Sequence, residues 1–188
     1  MKGFFLGLFL LFPLVTVAAV RVSFSDEITK DGLDKLEQKI RRAGANLKEN
    51  QERIIQIDID SGGGNLYATM DFVKSVASLM TELNVQINTR VASDCESSCT
   101  VLFTAGVERF ASRWAHFGFH SPAIASRLPK GADRNAILLE ARTRWLEAVG
   151  AVDAQLSTEL ERDGVLQRGE MTYFSSRELN HGYVTLIN

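Results

Sequence analysis

Ile54-Ile55-Gln56-Ile57-Asp58-Ile59 runs directly into Asp60-Ser61-Gly62-Gly63-Gly64, and nothing else in the chain constrains its fold as strongly. A short isoleucine-rich run bounded by turn residues reads as a buried strand. Beyond the glycines, Leu66, Met70, Val73, Val76, Ala77 and Met80 recur at spacings of three and four and read as the apolar face of a helix. Strand, glycine turn and helix in succession are the unit of a parallel α/β sheet. Glycines let the backbone approach a ligand closely, and free N–H groups at a helix start can hold an oxyanion or a phosphate. The spacing is not G-x-G-x-x-G, and no Lys-Ser/Thr pair follows, which disfavours a nucleotide. A tight strand-to-helix turn accounts for the loop equally well.

The rest of the chain continues this alternation. Arg21–Ser25 reads as a short strand, and Leu33, Leu36, Ile40 and Ala43 mark a first helix. Val85–Val91 alternates as a strand, Cys99–Ala105 reads as a buried helix, and Arg109-Phe110 opens a turn. Trp114–Phe119 is a short strand that ends at His120, followed by a Pro/Gly loop to Asp133. Arg134–Arg162 is strongly helical, with Gly150 as an interruption and Gly164 as a stop. Met171–Phe174 and Tyr183–Ile187 are late strands, with Ser175 a helix-cap candidate between them. The expected class is α/β with largely parallel pairing.

At 188 residues and 45% hydrophobic content the chain suits one compact domain. Its net charge of -2, with Lys and Arg scattered, gives no basic face for nucleic acid. Residues 1–19 form a separate segment. Lys2 precedes an apolar run from Gly3, and Val17-x-Ala19 supplies small residues, the pattern of a secretory signal peptide. The rival reading is a membrane anchor through residues 3–20. Either places residues 20–188 outside the cytoplasm, periplasmic or secreted, as one domain. Cys95 and Cys99 are the only cysteines. In an oxidising compartment they are disulfide candidates, and two buried thiols are the alternative. With no other Cys and three His, a zinc site is not expected, and no cofactor is implied.

Two serines and a histidine carry the candidate chemistry. Ser97 and Ser98 lie between the cysteines at the start of a buried segment, where helix capping is the plain reading. His120 follows an aromatic strand and has the side chain best suited to moving protons near neutral pH. Taken together, Ser61-x-Gly63-Gly64, Ser97 nine residues before Gly106, Arg109-Phe110 and Phe119-His120-Ser121-Pro122 resemble the proteolytic subunit of the Clp protease. The likeness is closer still to exported Clp-like proteins with a Cys-x-Ser-Ala/Ser-Cys segment, and it extends from about Ile28 to Val184.

That resemblance implies a crotonase-type spiral of ββα units. It implies Ser97 as nucleophile, His120 as general base, and the N–H groups of Gly64 and Ser98 as the oxyanion hole. It implies an acid near Glu170, where counting from Gly182 lands on Glu170 and counting from Phe174-Ser175 lands on Met171; Asp163 is a fallback. It also implies a homo-oligomer, with Arg134–Arg162 and its Trp145 and Leu146 in the place of the protruding handle helix, unless that helix covers its own core. The expected activity is an ATP-independent serine peptidase acting on peptides or small proteins. The alternative is a catalytically impaired Clp-like binding or assembly protein of the cell envelope. A Ser-Lys dyad through Lys130 is disfavoured because Lys130 reads as a solvated surface charge. Acyl-CoA chemistry, known on the same fold, is disfavoured by export and by the lack of a second Gly-rich turn after residue 90.

Overall fold

A computed structural model describes residues 19–48, 52–124 and 128–187, so all but the last residues of the segment read as signal or anchor lie outside the described residues. No helix among the described residues is long and apolar enough to cross a membrane.

The first strand, β1 (Val20–Phe24), leads into α1 (Lys30–Ala45), whose start is fixed by the Thr29 hydroxyl accepting from Gly32 N–H. The predicted stripe of Leu33, Leu36 and Ile40 is buried. Strand β2 (Ile54–Ser61) has Ile55, Ile57 and Ile59 at 2% exposure or less, with Gln56 buried on the opposite face. Burial of both faces is what a central parallel strand requires. Helix α2 (Leu66–Leu83) begins at Asn65, whose side chain accepts from Ala68 N–H, and ends at Asn84 in the left-handed conformation.

Strand β3 (Gln86–Glu96) runs well past the predicted Val91 and is forked. Its Thr89–Val91 segment pairs with β4 (Arg109–Ala111), and its Asp94–Glu96 segment pairs with β5 (His116–Phe119). Arg109-Phe110 therefore belongs to a strand, not to a turn. Arg109 can lie in that buried strand because its guanidinium donates to the carbonyls of Gly106, Val107, Gly182 and Tyr183, so every polar edge is met. Short helix α3 (Ser98–Phe103) leaves the C-terminal end of β3 and is wholly buried.

The helical stretch is interrupted at Gly150, as its sequence suggests, and divides into α4 (Arg134–Gly150) and α5 (Ala154–Arg162). The break comes at Asp153, which caps α5 by accepting from Leu156 N–H and also accepts from Tyr183 N–H. Ala141, Trp145 and Val149 of α4 are buried and Leu146 is packed against the core, so this apolar face covers the chain's own interior. Strand β6 (Thr172–Ser175) pairs antiparallel with β5, and β7 (Leu186–Ile187) is shorter than predicted because Tyr183 and Val184 turn into the core instead. The sheet runs β1-β2-β3-β4-β7 with all pairs parallel, and β5–β6 branches from β3. The protein is a single mixed α/β domain with a largely parallel sheet.

Candidate active site

Ser97 occupies the single residue between β3 and α3, at φ 55° and ψ -131°. This is a costly conformation for a residue with a Cβ. Three things hold it. Its N–H donates to Gly118 O at 2.8 Å, and its carbonyl accepts from Thr100 N–H at 3.0 Å and from the Thr100 hydroxyl at 2.8 Å. Cys95 and Cys99 are joined by a disulfide that spans the turn, with their Cα atoms 5.2 Å apart. Ser97 stands at the N-cap position, yet its hydroxyl caps nothing in α3. It lies instead 2.8 Å from His120 Nε2.

His120 reaches that position because β5 pairs with the end of β3, which sets the residue after β5 beside the residue after β3. The imidazole also packs edge-to-face on Trp145 of α4, with ring centroids 6.1 Å apart. Two loops leaving adjacent parallel strands thus meet at the carboxyl ends of the sheet, where open α/β folds place their ligand crevices.

The glycine loop closes against the same turn. Gly63 (φ +92°) and Gly64 (φ +148°) both have backbones that strongly favour glycine. A Cβ on Gly63 would sit 2.6 Å from Ser97 Cβ and 3.0 Å from Ser98 N; one on Gly64 would sit 2.3 Å from Ile28 O. Ile28 pins the loop: its N–H donates to Gly63 O and its carbonyl accepts from Asn65 N–H. The Ser61 hydroxyl donates to Asp26 O and accepts from Gly63 N–H. Between these ties the Gly64 N–H has no acceptor among the described residues, and neither does the Ser98 N–H at the start of α3. A cleft of about 540 Å³ opens beside the loop, lined by Asp26, Glu27, Asp60 and the three glycines.

The carboxylates expected at the base are not brought to it. Glu170 is exposed and has no hydrogen bond or ion pair among the described residues, and exposed Asp163 is paired with Arg162 at 2.8 Å. The hydrogen bond from Arg162 holds the Asp163 carboxyl below its ordinary range. The segment itself does run beside the histidine, since Phe119 pairs with Thr172 and Ser121 N–H donates to Arg168 O. Met171, the other register the sequence allowed, lies against Gly118. Lys130 is exposed. Among the described residues no cluster of His, Cys, Asp and Glu could hold a metal ion.

Sequence reasoning missed the contribution of Thr100, and read the face of Trp145 as an oligomer contact or as cover for the chain's own core; the structure places Trp145 in the core. Trp145 Nε1 donates to Thr100 Oγ1 at 3.1 Å, and the Tyr183 hydroxyl donates to Thr100 O. Burial raises the Tyr183 phenol far above its ordinary range, so it remains a neutral donor. No local pattern marks Thr100; only the meeting of α3 with α4 reveals it.

A serine hydroxyl in contact with an imidazole, beside two unpaired N–H groups, has the parts of a nucleophile, a base and an oxyanion hole. The fold belongs to the Clp/crotonase-like class. Among solved structures, a ClpP1 point mutant from Listeria monocytogenes superposes with a TM-score of 0.69 at 15% identity, covering 89% of this chain and 90% of that one. No family model and no curated protein matches the chain.

Proposed function

We propose that this chain is an exported serine peptidase that cleaves peptides or small proteins without ATP. The observation that carries the reading is the 2.8 Å contact between Ser97 Oγ and His120 Nε2, made at a strained turn where the serine caps nothing. In this mechanism His120 takes the hydroxyl proton as Ser97 Oγ attacks the scissile carbonyl. The N–H groups of Gly64 and Ser98 hold the negative charge that develops on the carbonyl oxygen. Protonated His120 then gives the proton to the leaving amine, and water, activated by the same imidazole, releases the acyl group. Each oxyanion donor is worth roughly 10²–10³ in rate. Export is supported by the apolar N-terminal segment and by the Cys95–Cys99 disulfide, since disulfides persist in oxidising compartments. By likeness of fold, the peptidase is proposed to act as a homo-oligomer.

A fluorophosphonate probe tests the reading. The folded protein is expected to be labelled through attack of Ser97 Oγ on phosphorus with loss of fluoride, and Ser97→Ala to abolish labelling. Absence of labelling in the folded wild type overturns it. One observation favours a second reading, a binding or assembly module of the cell envelope with impaired catalysis: no carboxylate meets His120 among the described residues. In that case Ser97→Ala leaves the cellular role intact.

A further inference from the structure

We propose that Trp145 is a positioning residue for both halves of the Ser97–His120 pair, a role that rests on the peptidase reading for its catalytic meaning. Trp145 lies on α4, remote in sequence from either residue, and is 1% exposed. Its indole N–H donates to Thr100 Oγ1 at 3.1 Å. That hydroxyl in turn donates to Ser97 O at 2.8 Å, completing a relay to the strained turn. The face of the interaction toward the base is different in kind: the imidazole of His120 meets the indole at 85°, in the T-shaped arrangement aromatic pairs favour. One rigid side chain therefore fixes the carbonyl of the nucleophile through a hydrogen bond and the ring of the base through packing.

The site has particular use for such a residue. His120 makes its one hydrogen bond to Ser97 itself, and no carboxylate orients the ring from its far side among the described residues. An imidazole held by a single hydrogen bond can rotate about its side-chain torsions. A wall of indole at 6.1 Å restricts that rotation without adding charge. Phe119, one residue earlier, packs on the same indole at 6.5 Å, so the strand end and the imidazole share one support. Misplacement by about 1 Å can cost on the order of 10²-fold in rate, so a support of this kind has a kinetic consequence.

Three variants of the full chain separate the two halves of the proposal. Thr100→Val keeps the shape of the side chain and removes the hydroxyl relay. Trp145→Phe keeps an aromatic ring and removes the indole N–H, and Trp145→Leu removes both supports. Labelling by the fluorophosphonate is measured as a maximal rate and a probe affinity. Thr100→Val and Trp145→Phe are each expected to slow the maximal rate about tenfold, the scale of one hydrogen bond. Trp145→Leu is expected to slow it about 10²-fold, with probe affinity unchanged in all three. In parallel, the His120 Cε1–H resonance, identified by its loss in His120→Gln, is followed by NMR. It is expected to move in both Trp145 variants and to stay in place in Thr100→Val. Should Trp145→Leu fail to fold, the other two variants carry the same comparison.

Wild-type labelling with wild-type rates in Thr100→Val and Trp145→Phe overturns the proposal and leaves the peptidase reading standing. So does a His120 resonance that does not respond to loss of the indole. An unlabelled wild type whose His120 resonance moves in the Trp145 variants overturns the peptidase reading instead, and leaves Trp145 as the residue that positions the imidazole.

Discussion

Gly63 and Ser97 pack so closely that a single methyl group on the glycine would lie 2.6 Å from the serine Cβ. The same methyl would meet Glu96 O at 2.7 Å, and backbone cannot swing aside as a flexible side chain can. Gly63→Ala is expected to cost about 1–3 kcal/mol through its positive φ, with a further loss of labelling by displacement of Ser97. Gly62→Ala, where the nearest atom is 3.9 Å away, is the control and is expected to melt within a degree or two of wild type, a shift of about 0.5 kcal/mol or less. Thermal melts with the probe assay distinguish the two.

Ser97→Gly is expected to stabilise the fold while abolishing labelling. At φ 55° and ψ -131° the serine carries strain that glycine does not. The gain is offset in part by the greater freedom of glycine in the unfolded chain, leaving about 1 kcal/mol, or roughly 2–4 °C in Tm for a domain of this size. An unchanged or lower Tm contradicts strain at the turn.

Removing the disulfide by Cys95→Ala with Cys99→Ala is expected to lower stability by about 2 kcal/mol, the modest value for so short a loop. Both sulfurs belong to residues at 0% exposure. A small thiol reductant is therefore expected to leave labelling unchanged under native conditions and to act only in denaturant. Rapid reduction of the native protein runs against this. The double variant is expected to label more slowly than wild type, since nothing covalent then closes the turn on Ser97.

Glu178 gives a pH dependence of defined sign. The Ser175 hydroxyl and the Ser175 N–H both donate to Glu178 Oε2 at 2.7 Å and hold the carboxyl below its ordinary value of 4.5. A lowered folded value means stability that is present above the unfolded value and lost as pH falls through the folded one. The group is exposed, so the effect is a few tenths of a kcal/mol. Glu178→Gln is expected to lower stability slightly at pH 7, with the difference vanishing below the folded value. Denaturant titrations across that range check it, and a growing difference toward acid contradicts it.

Much of this fold is legible in local pattern. Leu33, Leu36 and Ile40 announce α1, the isoleucines announce β2, and the glycine loop announces the turn into α2. Long-range pairing is less visible. Ser93, Asp94 and Glu96 look like loop residues, and they extend β3 only because β5 arrives alongside. Arg109 looks misplaced in a strand until four carbonyls converge on its guanidinium, two from the adjacent Gly106-Val107 turn and two from distant Gly182 and Tyr183. Gly150 hints at the break between α4 and α5, but the hold that Asp153 exerts there on Tyr183, thirty residues on in sequence, is not visible locally. At the site, Ser97 and His120 stand out because their residue types and spacing match a known arrangement. An orienting acid does not: counting leaves Glu170 and Met171 as alternatives, and the structure leaves Glu170 exposed and sets Met171 against Gly118.

The fork in β3 divides Ser97 and His120 between two structural units. Ser97 issues from the trunk of the sheet, where β2 and β3 share a long parallel ladder. His120 issues from a two-stranded leaf, β5–β6, which among the described residues the ladder joins to that trunk through Asp94, Cys95 and Glu96. Ring contacts of Phe117 and Phe119 with Phe103, Trp145 and Tyr183 do the rest of the fastening. Such a leaf is suited to opening as a cooperative unit below the free energy of global unfolding. Its amides then exchange with solvent before those of Ile55 and Ile57, and an opened leaf carries His120 away from Ser97 while the turn that holds the serine stays intact. Heat would part Ser97 from His120 before it melted the helices.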